Sequence, residues 1–190
     1  MAKFIKCRIS EVSENGNKLK NIPRGQTFEY CGQEWIVLEH DNANHTLVLT
    51  KDTIGNMPFD ENNSNNWAKS TLRKYLNGEF LKEMCIGLPP ENLGFTLFKT
   101  DLTADDGLKD YGESIDMVSL MTCDLYRKHR DILERTSKWW WLVTPFNICA
   151  SRTEDCVRYV SPGGIIFYCD VRYGDRGVRP VCYLSSEIFV

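Results

Sequence analysis

The chain has 190 residues, 42% of them hydrophobic and 26% charged, which suffices for one domain with its own core and makes disulfide or metal staples unnecessary. A formal charge of -3, with no stripe of Lys and Arg, gives no long-range pull on phosphate backbones and argues against nucleic acid as a partner. The opening MAKFIKCRIS lacks the apolar run of a secretory leader, and no later stretch is long enough to cross a bilayer, so a soluble chain without membrane insertion is expected.

The first 50 residues read as strands: Phe4 to Ile9, Gln26 to Tyr30, Glu34 to Glu39 and Thr46 to Thr50. Cys31-Gly32-Gln33 and Asp41-Asn42-Ala43-Asn44 separate the later three, and Gly and Asn tolerate the backbone angles of hairpin loops. An antiparallel meander follows from this spacing. The stretch Trp67 to Asn77 puts Leu72, Tyr75 and Leu76 on one helical face, with Gly78 as its stop. A second helix is predicted from Thr122, as N-cap, to Leu133, with Leu125, His129 and Ile132 or Leu133 facing inward. Between them, Pro89 to Gly112 reads as loop-rich. From Trp139 onward β-branched and aromatic residues alternate with Gly, Pro and Asp, so short strands and long loops are expected and no helical period survives. No linker or repeat divides residues 1–190, and the whole reads as one α+β domain.

Eight cysteines, at positions 7, 31, 85, 123, 149, 156, 169 and 182, form no CxxC pair. They read as mostly reduced, half-buried thiols. The loop with Asp60, Glu61, Asn62, Asn63, Asn65 and Asn66 has oxygens that could hold calcium but no ordered ligand spacing, and a solvated loop is the simpler reading. No cofactor is expected.

The last quarter differs in composition. Residues 143–182 contain no Lys, Gln, Met or Trp and one Glu, Glu154, whereas these five types number 35 in the preceding 142 residues, a density that predicts about ten in forty. Strand propensity alone would disfavour Lys and Glu. It does not remove Trp and Met, and it does not explain why Arg152, Arg158, Arg172, Arg176 and Arg179 are present where Lys is missing. Tyr and Arg are what protein-binding surfaces favour, because rigid rings and planar guanidinium groups give much contact for little entropy.

Trp140-Trp141-Leu142-Val143-Thr144-Pro145, then Val160 with Gly164 and Ile166, then Gly177-Val178-Arg179-Pro180-Val181 resemble the ending of bacterial and phage domains that close with WWLR(S/T)P, a glycine-punctuated stretch and GVRP. Gln26-Thr27-Phe28, Trp35 to Leu38 and Leu72 to Leu81 resemble the opening hairpin and first helix of the same family. The family belongs to the formylglycine-generating-enzyme branch of the C-type lectin fold, and several members are variable proteins of diversity-generating retroelements. In those systems adenine randomisation turns Asn-type codons into fifteen residue types that never include Lys, Gln, Glu, Met or Trp. Glu154 and Val143, where the family pattern carries Arg, depart from it.

The resemblance implies a C-type-lectin-like fold with an N-terminal meander, two main helices and a loop-rich β C-terminal half. It implies that residues 143–182 form a variable surface that binds a protein or glycan ligand, for example on a host cell, with the chain in a phage virion or a bacterial cell. Trp140, Trp141, Pro145, Gly164, Gly177, Val178, Arg179 and Pro180 would then be scaffold, with Arg179 tied to backbone carbonyls or a carboxylate. The candidate contact residues are Phe146, Asn147, Ile148, Arg152, Arg158, Tyr159, Ser161, Ile165, Phe167, Tyr168, Asp170, Arg172, Tyr173, Asp175 and Arg176. With Val160 and Ile166 inward, strand alternation sends Ile165, Phe167 and Cys169 outward as an apolar patch. Formylglycine-generating enzymes use cysteines, so Cys149, Cys156 and Cys169 are the alternative, catalytic reading. The histidines, His40, His45 and His129, lie far from them in sequence, and thiols without a base are poor nucleophiles. A binding protein rather than an enzyme is expected, with a structural phage protein as a further alternative.

Overall fold

The computed structural model describes residues 16–148 and 155–190. The predicted strand at Phe4 to Ile9 lies outside them, as do Cys149, Arg152 and Glu154. The architecture is mixed α and β and dominated by sheet. β1 (Thr27–Tyr30), β2 (Gln33–His40) and β3 (His45–Thr50) form the expected antiparallel meander. The last strand, β13 (Pro180–Ser185), runs antiparallel beside β3 and also pairs with β5 (Phe95–Thr96) and β8 (Val118–Leu120), giving six strands.

A second sheet has the order β11 (Ile166–Asp170), β10 (Cys156–Val160), β9 (Trp140–Pro145), β12 (Gly177–Val178), β4 (Gly55–Asn56). β6 (Phe98–Asp101) and β7 (Glu113–Asp116) form a separate ladder. The Pro89 to Gly112 stretch is thus less irregular than its composition suggests, because Phe95 is buried and pairs across to Leu184.

Two apolar clusters explain the continuous apolar runs. In β2, Trp35 and Val37 enter one cluster and Leu38 the other; in β9, Trp141 and Val143 enter the first and Trp140 and Leu142 the second. A strand covered on both faces needs apolar residues at every position, and every residue of β9 is buried. Trp141 also donates its indole N–H to the Met57 carbonyl at 2.8 Å.

The first helix departs from expectation at Gly78. It runs through α1 (Thr71–Tyr75), a π-helical turn (Leu76–Phe80) and α2 (Leu81–Cys85). Ser70 caps its start, accepting from the Arg73 amide at 3.1 Å. Nothing lies within 4 Å of where a Gly78 Cβ would be, so the glycine neither caps nor packs closely. The neighbouring Asn77 accepts from the Met117 and Val118 amides and donates to the Val118 carbonyl, which latches the π turn to the β7–β8 connection. The helix stops instead at Ile86, in the left-handed region.

The second helix, α3 (Cys123–Lys128), is shorter than predicted. Its Thr122 cap holds, with the hydroxyl accepting from the Leu125 amide at 3.0 Å. His129 is buried as expected, and Ile132 and Leu133 pack against the second cluster from beyond the helix end.

Candidate binding surface

β11 is an edge strand, paired with β10 on one side and unpaired on the other. The register sets Arg158 opposite Tyr168 and Tyr159 opposite Phe167. Neighbouring residues on a strand point to opposite faces, so these two pairs lie on opposite sides of the sheet. Val160 and Ile166 lie on the Arg158 side and pack into the second cluster; Val157, Tyr159 and Cys169 lie on the other side and pack into the first.

On the Arg158 side, Phe146 and Tyr168 stack with ring centroids 4.0 Å apart, and the Arg158 guanidinium lies over both rings at 4.6 and 5.7 Å. Asp105 neutralises Arg158 and also contacts Arg127 at 3.3 Å. On the other side, Trp139 meets Tyr159 and Phe167 at 5.3 and 6.1 Å. The Arg176 guanidinium lies over Tyr159, Tyr173 and Trp139 at 4.9, 5.4 and 5.5 Å. Rings and guanidinium groups so arranged hold one another in place.

The sequence-derived candidates therefore separate into exposed and supporting residues. Ile165, Phe167, Tyr168 and Tyr173 are 59%, 43%, 47% and 53% exposed, and Arg172 and Asp175 are also exposed. Phe146, Asn147, Ile148, Arg158, Asp170 and Arg176 are half-buried. Arg152 lies outside the described residues. Tyr159, only 7% exposed, and Ser161 are corrected to supporting roles. Ser161 is turned into the hairpin turn, where its hydroxyl accepts from the Ile165 amide at 3.0 Å. Cys169 is likewise corrected: it faces the first core cluster, not solvent.

Charges on this surface come in neutral pairs. Arg172 donates to both Asp170 oxygens, which lowers the Asp170 pKa, and Arg176 meets Asp175 at 2.7 Å. Among the described candidates, the Cys156 and Cys169 thiols are poorly suited to nucleophilic chemistry. Burial pushes Cys156 up to about 12 and Cys169 up to about 11, and the register places the two on opposite faces of the hairpin. Cys85, Cys123, Cys156, Cys169 and Cys182 are free thiols.

Two supporting roles were not legible in the sequence. Asn65 is buried and donates from one amide nitrogen to the Asn147 carbonyl at 2.8 Å and the Cys156 carbonyl at 2.9 Å, while its oxygen accepts from Tyr111 at 2.8 Å. It ties together the two chain positions that flank residues 149–154. Trp139 lies ahead of the composition break and was missed for that reason; the three-tryptophan run was its signal, since alternation puts Trp139 on the side of Trp141.

In the loop considered for calcium, Asp60 and Asn66 turn their side-chain oxygens to backbone amides. Asp60 accepts from Asn62, Ser64 and Thr71, and Asn66 caps Ala68. Arg179, expected to be tied internally, is buried and donates at 2.8 Å to the Thr50 carbonyl and at 2.8 Å to that of Lys51. No helix among the described residues is long and apolar enough to cross a membrane. Comparison with protein families, with curated proteins and with solved structures finds no match to this chain.

Proposed function

We propose that this chain is a ligand-binding protein with a C-type-lectin-like scaffold, of the formylglycine-generating-enzyme type, whose residues 143–182 form a surface diversified by a retroelement. The observation that carries the reading is the coincidence of composition with placement. Within the segment that lacks Lys, Gln, Met and Trp, the exposed side chains cluster on edge strand β11 and the loop after it, while β9 and β12 are buried. Side chains on the edge can then change while the buried strands keep the backbone fixed.

Binding would rest on Phe167, Tyr168 and Tyr173, with Trp139, Phe146, Arg158 and Arg176 holding them. Preordered rings lose little entropy when they meet a partner. Because the charges are internally paired, shape and aromatic contact would dominate over net charge. The ligand is a protein or glycan, on a host cell surface in the phage case, and no covalent step is involved.

Sequencing the source locus tests the reading. The expected result is a near-identical template repeat that differs from the codons of residues 143–182 only at adenines, beside a reverse-transcriptase gene. A locus with neither would overturn it.

A further inference from the structure

A cavity of about 210 Å³ opens between the segment after α3 and the turn that joins β10 to β11. It is lined by Arg130, Arg135 and Arg179 against a single acid, Glu134, so its wall carries excess positive charge. The volume far exceeds what one water needs and accommodates a small organic acid.

The three guanidinium groups are incompletely used. Arg179 is buried, and after its two bonds to backbone carbonyls its Nη1 has no partner among the described residues. Leaving a buried charged donor unpaired is costly, and burial lowers the Arg179 pKa to about 10. Arg130 and Arg135 are exposed, and neither makes an ion pair among the described residues. Aromatic rings fix two of the planes: Arg130 lies over Tyr126 at 5.2 Å and Arg179 over Trp140 at 5.1 Å. A guanidinium held by its face keeps its N–H edge for a planar acceptor with two oxygens.

The turn is shaped around this cluster. Gly164 sits at φ +79, its carbonyl accepts from the Tyr126 hydroxyl at 2.9 Å, and a Cβ there would lie 2.2 Å from Arg130 Nη1. Glycine therefore gives Arg130 its place at the cavity.

We propose that this cavity binds a carboxylate, gripped by Arg130 and Arg135 and attracted by the fixed charge of Arg179. The site stands on its own geometry and does not depend on residues 143–182 being variable. The carboxylate could come from a free small acid or from an acidic side chain of a bound partner.

The test is an NMR titration of the full chain with sodium acetate against sodium chloride at constant ionic strength, following arginine Nε–Hε signals. Acetate should give a saturable shift in the millimolar range, weakened about tenfold or more in the R130Q/R135Q double variant. Both positions are exposed, so the variant should keep its amide spectrum. Equal shifts with acetate and chloride, or an unchanged response in a folded double variant, would overturn the proposal. A blocked Gly-Asp-Gly peptide separates the sources: competition with acetate supports a partner side chain, and exclusion of the peptide with acetate still bound supports a free acid.

Discussion

Phe146 and Tyr168 stack at 4.0 Å with their planes 18° apart, although strand β10 runs between β9, which Phe146 follows, and β11, which holds Tyr168. The pair ties the exposed edge strand to the segment that follows β9, on the Arg158 side of the sheet.

That stacking should be measurable as coupling. In a double-mutant cycle of F146A and Y168A the coupling is expected at about 0.5–1.5 kcal/mol, the usual range for aromatic pairs. Y168A alone should cost about 1–2 kcal/mol, whereas W141A, which empties a fully buried site, should cost about 3–5 kcal/mol. Urea unfolding provides both values, and equal losses for the two single variants would contradict the division into display and support.

Asn65 makes the second prediction. Replacing it with Ala removes its bonds to the Asn147 and Cys156 carbonyls and to the Tyr111 hydroxyl, at a cost of about 3 kcal/mol. N65D should be similarly harmful, because a carboxylate cannot donate to the two carbonyls. Faster hydrogen exchange at the Phe146 amide, which donates to the Cys156 carbonyl, should accompany the loss.

Acid should act through Glu187. Lys18 and Lys20 donate to its carboxylate at 2.6 and 2.8 Å and lower its pKa from an ordinary 4.5 to about 2. The unfolded chain therefore binds this proton more readily, so the contribution to stability is full above about 4.5 and disappears as pH falls toward about 2. E187Q should flatten stability against pH across that window, and high salt should do the same to the wild type because the pair is exposed. An acid limb identical in E187Q and wild type would assign the acid sensitivity to other carboxylates.

Ile86 closes the first helix at φ 46 and ψ 48 and is exposed, so a β-branched residue sits where glycine or asparagine is favoured. I86N should stabilise the fold by about 1 kcal/mol, seen as a higher thermal midpoint. A lower midpoint would mean that the Ile86 side chain contributes more by packing than its backbone strain costs.

The meander was legible because its signals are local: Gly32 and Asn44, at the two hairpin turns, both take positive φ, and the apolar runs between them are strand-length. The extension of the helix past Gly78 was not, since the contacts that hold it come from Met117 and Val118, some forty residues away. The same is true of the candidate surface. Composition singled out the segment and with it Phe167, Tyr168 and Tyr173, which are exposed, but only the fold shows that Tyr159 and Cys169 turn inward and that Trp139 joins them. Asp105, 53 positions before its partner Arg158, carried no mark of that pairing in its neighbourhood.

The position of β13 has a consequence for how new versions of this chain could be filtered. β13 is encoded after the whole of residues 143–179, yet it is an interior strand of the larger sheet, between β3 on one side and β5 and β8 on the other. A frameshift or premature stop anywhere in the preceding stretch removes that strand and leaves the edges of β3, β5 and β8 open. Such products would be exposed to proteolysis, while in-frame versions could complete their sheet. Under the proposed diversification, the chain order would make folding itself a reading-frame check on each altered copy.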